Sequence, residues 1–240
     1  MEQQMGANSW AFFQNLRMLG IPMGTRMTVC RDSNGRLFVH SPNALTEKIR
    51  TRMSSLGTVA VLFSPNIYHH LYGGDWQGTW PEAIHVAPRQ LAKKRPDLKI
   101  DHVLDEDSYP AGAFALDCPG FNAIKISPLR GTRRWYEWEC FFETDKLLVL
   151  TDLVFNLQER ENAALKEVWP RIYTLLSGQR NRLCFPLVHH VLVKDHPAFR
   201  QSVSEIFAWP YQRIVLAHGA LPTADELRRL LPNRQLGASA

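Results

Sequence analysis

The chain has 240 residues, 45% hydrophobic and 21% charged, ordinary values for a globular protein with length enough for one buried core. Its +5 formal charge falls in short groups such as Lys93-Lys94-Arg95, Arg133-Arg134 and Arg228-Arg229, without the interleaved aromatics of a nucleic-acid groove. No apolar run reaches the roughly 20 residues of a membrane span, and Cys30, Cys118, Cys140 and Cys184 lack zinc-ribbon or disulfide-framework spacing. A cytoplasmic protein forming a single domain over 1–240, with reduced cysteines and neither nucleic acid nor membrane as partner, is therefore expected.

Residues 1–23 read as a helical or irregular lead-in whose Trp10, Phe12, Phe13, Leu16 and Leu19 pack on the body or offer a homodimer contact. Met27–Cys30 and Arg36–His40 read as a hairpin, because Asn34-Gly35 supplies the positive φ its turn requires. A helix follows, with Ser41 as N-cap, Pro42 at the first helical position, and Leu45, Ile49, Met53 and Leu56 on one face. Gly57 ends it, and Thr58–Phe63 makes the next strand, parallel to its predecessor by a right-handed crossover.

Pro81–Pro88 reads as a short strand and Gln90–Lys94 as a helical turn. Residues 96–122 read as loop with short strands. Ala123–Ile126, Trp135–Glu143 and Lys146–Thr151 are three further strands, and alternation in the middle one predicts a sheet with one buried face. A helix over 159–177 carries Leu165, Val168, Trp169, Ile172, Leu175 and Leu176, with Pro170 as a kink. The run 186–193 reads as extended, with His189 and His190 structural; His85 and His102 read as surface or strand residues. Asp195-His196-Pro197 starts another helix, Arg213–Ala217 is a strand, and Thr223 with Glu226 begins the last helix as a capping box.

Polar residues recur where apolar strands end. LFV runs into His40, VAVLFS into Asn66, His69 and His70, LLVLT into Asp152, and IVLA into His218. Ligands in open α/β sheets bind beyond the carboxyl ends of strands, and imidazole with carboxylate suits zinc or iron. Each residue alone also fits a hydrogen-bonded core or turn position. No P-loop, dinucleotide fingerprint or GxSxG elbow is present. Glu137 and Glu139 lie two apart on one strand, unlike a glycosidase pair that flanks its bond.

LFVHSP (37–42), SPNIYHHLYGGDW (64–76), PRQLAKKRPDL (88–98), LLVLTDLVFN (147–156) and RIVLAHG (213–219) together resemble the metallo-β-lactamase superfamily, specifically its divergent DUF4336 family. The resemblance implies an α+β fold: an αββα sandwich of two mixed sheets packed face to face, helices outside, with a site at one edge. The superfamily hallmark HxHxDH is degraded. No histidine occurs in 65–68; His69 stands near the aspartate position and His70 matches the final histidine. None occurs between Ala123 and Asp152, a neighbourhood that holds Glu137 and Glu139. Asp152 matches the bridging aspartate and His218 the last histidine.

The pattern implies one divalent metal, zinc or iron, held by His70, Asp152 and His218. His69 would be the fourth ligand or a partner of the ligands, and His40, Asn66, Asp75 and Glu137 would line the pocket. The implied activity is hydrolysis of a small-molecule substrate by metal-activated water, with Asp152 and His69 as catalytic residues. The competing expectation is a non-catalytic module of the same fold, its metal chemistry lost, kept for binding or assembly.

Overall fold

A computed structural model describes residues 1–106, 116–186 and 189–230. The expected lead-in is strand, not helix: β1 (Glu2–Gln4), β2 (Ser9–Gln14), β3 (Arg17–Met18) and β4 (Ile21–Pro22) precede β5 (Thr25–Arg31) and β6 (Arg36–His40). Trp10, Phe12 and Phe13 are spaced ambiguously, and tertiary packing settles the period. Trp10 and Phe12 join one core layer while Ala11 joins the opposite one, so β2 is buried on both faces.

The chain continues through α1 (Glu47–Leu56), β7 (Thr58–Phe63), α2 (Gly73–Thr79), β8 (Ile84–Pro88), α3 (Arg89–Lys94) and β9 (His102–Leu104). The N-cap of α1 is Thr46, whose hydroxyl accepts from the Ile49 N–H, rather than Ser41. Asn43 holds the intervening segment out of the helix: its amide donates to the Phe12 carbonyl, and its own carbonyl accepts from Trp76 Nε1. Gly57 then ends α1 where a Cβ would strike the Gly35 carbonyl.

These strands form one mixed sheet in the order β1-β2-β5-β6-β7-β8-β9, parallel from β6 onward. As expected, β6 and β7 are parallel with α1 between them. Of the expected loop at 96–122, residues 107–115 lie outside the described residues.

The second sheet takes β10 (Leu116–Cys118), β11 (Phe121–Pro128), β12 (Trp138–Phe142) and β13 (Leu147–Leu150). Beyond these come β14 (Phe155–Leu157), α4 (Val168–Leu176), β15 (Arg182–Cys184), α5 (His189–Leu192), α6 (His196–Phe207), β16 (Arg213–Leu216) and α7 (Ala224–Leu230). Its order is β10-β11-β12-β13-β16, with only the last pair parallel. Pro170 lies in the first turn of α4, where its missing N–H costs little, so it starts the helix instead of kinking it. The described part of 186–193 is the helical turn α5, not an extended run; residues 187–188 lie outside the described residues.

Three apolar layers make an αββα sandwich. Phe38, Val61, Phe63 and Val86 meet Trp138, Cys140, Phe142 and Val149 between the sheets. Met53, Leu56 and Trp76 cover the outer face of the first sheet. Phe199, Val203 and Ile206 of α6 cover the second. That last layer corrects the expectation for β12: both its faces are buried, and Glu137 and Glu139 are fully enclosed. No helix among the described residues is long and apolar enough to cross a membrane.

Because β6 and β7 are parallel, and β13 and β16 are parallel, both pairs of carboxyl ends lie at strand edges where polar residues collect. The two sheets are stitched there: the Trp138 N–H donates to the Pro65 carbonyl at 2.9 Å. Elsewhere, buried Asp145 joins them by accepting from the Asn8 N–H at 2.8 Å and the Ser9 hydroxyl at 2.6 Å. Asp145→Ala strands both donors, and chemical denaturation should show a loss of about 2–3 kcal/mol with the fold retained.

A candidate metal centre at the sheet edge

After β7 the chain turns sharply on Asn66, whose Oδ1 accepts from the Tyr68 and His69 N–H groups at 2.8 and 3.0 Å. This turn sends two adjacent histidines different ways. His69 Nε2 reaches Asp152 Oδ1 at 3.5 Å and His218 Nε2 at 3.2 Å, while His218 Nε2 stands 3.1 Å from the same Asp152 oxygen. The ligand atoms of His69, Asp152 and His218 form the one such group among the described residues.

The expectation for His70 is corrected here. Its Nδ1 accepts from Arg95 at 2.9 Å, and burial, then Lys94 and Arg95, lower its pKa to about 4. Pointing at a guanidinium, it does not join the cluster. Asp75 is exposed in the first turn of α2, where a carboxylate suits the positive helix terminus, and is not brought to the cluster either. His40 is buried beneath the edge, stacked on Phe63, with Nε2 3.4 Å from the Thr151 hydroxyl. It belongs to the floor, not to an open pocket.

His218 is 1% exposed and its tautomer follows from its surroundings. A carbonyl can only accept, so Nδ1 must carry the proton it gives to the Gly24 carbonyl at 2.6 Å. Nε2 then presents its lone pair to the carboxylate unless a second proton binds. Gly24 has φ +65°, and a Cβ there would collide with the Phe13 ring, so only glycine brings this carbonyl so close. Sequence reasoning passed over Gly24 because its role belongs to the backbone.

Burial alone would raise the Asp152 pKa, but the two imidazoles beside it, His69 first, outweigh burial and hold the carboxyl well below the usual range. Its other oxygen, Oδ2, accepts from Asn66 Nδ2 at 2.8 Å. The same amide donates to Glu137 Oε2 at 2.6 Å, so Asn66 spans two carboxylates. Glu137 also accepts from Trp135 Nε1 at 2.8 Å and from the backbone N–H groups of Asp152 and Leu153, both at 2.9 Å.

Burial, then the Asp152 charge, raises Glu137 to about 7 against the pull of those donors. Glu139 beside it is pushed well above the ordinary value by burial and the Glu137 charge, so Glu139 is the one that keeps its proton. Two residues outside the expected site complete the support: His189 places Nε2 3.1 Å from the Asp152 carbonyl and packs on Trp135 at 4.2 Å. Their part was hidden because 135, 152 and 189 meet only through the fold.

Geometry makes the cluster suitable for a metal. For bonds of about 2.0–2.1 Å, the edges of a tetrahedron are roughly 3.3–3.4 Å. The ligand-atom separations of 3.1–3.5 Å match three vertices of that figure. Three acceptor-capable atoms so close also require a proton or a cation between them. A cleft of about 780 Å³, lined by Phe13, Gln14, Thr46 and Arg52 among others, shares no residue with this cluster.

Two measurements follow from these surroundings. Asn66→Ala leaves both carboxylates short of a donor and should cost about 2–3 kcal/mol in denaturant unfolding. Burial lowers the pKa of His85 to about 4 and that of His40 to about 3. An unfolded histidine binds a proton below about 6.5, so the unfolded state takes up more protons in this window. Stability is therefore present above about 6.5 and lost as pH falls toward 4, by up to about 1.4 kcal/mol per pH unit for each histidine. Melting curves at stepped pH check this, and His85→Gln should remove one histidine's share of the slope.

No curated protein matches the chain in sequence. In structure it is similar to TMB-1 (TM-score 0.63, 12% identity, 96% of this chain and 94% of that one). It is similar to the same degree to the DIM-1 metallo-β-lactamase exposed to ceftazidime, with TM-score 0.63, 12% identity and the same coverage. A metallo-β-lactamase from Pontibacter korlensis gives TM-score 0.61 at 11% identity, over 98% of this chain and 99% of that one. Such low identities establish the fold alone. Residues 7–182 match the family described as Domain of unknown function (DUF4336), so the chain belongs to that family and has the fold of the metallo-β-lactamases.

Proposed function

We propose that the protein is a metal-dependent hydrolase with a mononuclear site held by His69, Asp152 and His218. The observation that carries the reading is the set of ligand-atom separations, 3.1, 3.2 and 3.5 Å, fitting three vertices of a tetrahedral zinc or iron site. Three protein ligands with one position left over is the catalytic arrangement, whereas structural zinc is closed by four. A metal bound there would supply a water whose pKa falls toward ~7, a nucleophile for an ester, amide or phosphoester of a small molecule.

The chain's own residues fix the arrangement. The Gly24 carbonyl sets the His218 tautomer, and Asn66 occupies Asp152 Oδ2, so only Oδ1 faces the histidines. A mononuclear count is supported by the neighbouring space, where Asn66 bridges Glu137 and Asp152 in place of further ligands. Asp152 and His69 serve as ligands in this reading.

Elemental analysis after zinc or iron loading should give close to one equivalent in the wild type. His218→Ala and His69→Ala should lose the metal together with activity against a panel of ester, amide and phosphoester substrates. Loss of the Asn66 hydrogen bond that orients Asp152 should weaken metal affinity by about 10–100-fold. A wild type that takes up no metal after loading would sink the proposal and favour the non-catalytic binding module.

A further inference from the structure

Helix α4 is inside out. Its buried positions are Pro170 and Thr174, whereas Val168, Trp169, Ile172, Leu175 and Leu176 all face solvent. A helix that packs on a core ordinarily turns its apolar stripe inward. The exposure continues onto the hairpin of β3 and β4, because Trp169 Nε1 donates to the Leu19 carbonyl at 3.1 Å and the indole lies against Gly20. Met18 and Leu19 extend the same face, Leu19 being 86% exposed.

Leu19 has a second peculiarity. It and Gly20 both have positive φ, 51° and 80°, at the centre of a two-residue hairpin turn. Such turns favour Asn-Gly or Asp-Gly, and a leucine in this conformation is disfavoured by about 1–2 kcal/mol. A strained, almost fully exposed leucine at a loop tip gains nothing from the folded chain around it. Its apolar side chain makes sense against something outside.

Charge selects the occupant. Glu167, the acid next to this face, is neutralised by Arg17 through hydrogen bonds of 2.6 and 3.0 Å. Lys166 and Arg171 are exposed beside it, and the acid nearest Arg171, Glu159, is already paired with Arg180 at 2.7 Å, so this edge keeps an excess of positive charge. An apolar face edged by exposed cations complements an anionic lipid surface: side chains enter the headgroup boundary while lysine and arginine meet the phosphates. A second copy docked by the same face would set these cations against one another.

We propose that the β3–β4 tip and the outer face of α4 form a peripheral binding surface for anionic lipid membranes. This contact lies in the plane of the headgroups and needs no spanning segment. Beneath the face, Ile21, Met23, Leu157 and Leu165 pack on Phe155, whose ring stands edge-on to His218 at 5.1 Å. The cluster of His69, Asp152 and His218 therefore adjoins this face. The proposal itself does not depend on metal or catalysis.

Vesicle co-sedimentation of the full chain tests it, comparing phosphatidylcholine alone with phosphatidylcholine plus phosphatidylserine, each with and without chelator. The expected result is salt-sensitive binding on the order of tenfold stronger to the anionic vesicles. Leu19→Glu and Leu176→Glu, at positions 86% and 76% exposed, should abolish binding without changing the melting temperature. Tryptophan emission should shift to the blue on binding, and Trp169→Phe should remove the shift while keeping the binding, because Trp10, Trp76, Trp135, Trp138 and Trp209 are buried and half-buried Trp80 packs on Trp76 over the first sheet. No binding to anionic vesicles, or binding unchanged in both Glu variants, overturns the proposal. So does light scattering that shows a dimer which Leu176→Glu dissociates, since a second copy would then cover the face.

Discussion

The edge of this sandwich depends on how one buried carboxylate is satisfied. Glu137 has no exposure, and an ionised carboxylate out of water costs several kcal/mol unless it is hydrogen-bonded. Its donors come from the turn after β7, the approach to β12 and the turn after β13. Satisfying it therefore fixes Asn66, Trp135, Asp152 and Leu153 relative to one another. The Asn66 turn, so placed, aims His69 at Asp152 and His70 at Arg95.

His218 is set from elsewhere, through the Gly24 carbonyl at the start of β5. β5 runs antiparallel to β6, so its beginning lies at the edge where β6 ends. The cluster thus gathers support from both sheets and from the strand-forming N-terminal region. Apolar layers hold the sheets, but hydrogen bonds to backbone and carboxylate decide where the three ligand atoms stand. Rigid support of this kind is what a metal site needs, because ligand distances must hold within tenths of an ångström.

Much of this was legible in the chain. Apolar runs ending in His40, Asn66, Asp152 and His218 marked strand ends, and the motif order pointed to the sandwich that the structure shares with metallo-β-lactamases. Local signals with strong chemistry held: the Asn34-Gly35 turn, the Asp195 cap of α6 and the Thr223–Glu226 capping box. Weaker local signals did not. The Trp10–Leu16 run fits helix and strand spacing equally, and the cap of α1 moved to Thr46 because Asn43 is tied to Phe12 and Trp76.

The sequence by itself determined the run from β5 through β6 and α1 to β7, the family and which residue types reach the sheet edge, because periodicity, turn chemistry and motif spacing are local. Only the tertiary structure decided between His69 and His70, since neighbours on a tight turn diverge and the direction depends on Asn66 and Arg95. It alone revealed Gly24, Trp135 and His189, whose parts depend on atoms far away in the chain. It also turned most apolar residues of α4 outward: the layer beneath that helix is Ile21, Phe155 and Leu165, and the helix packs its own Tyr173 on it.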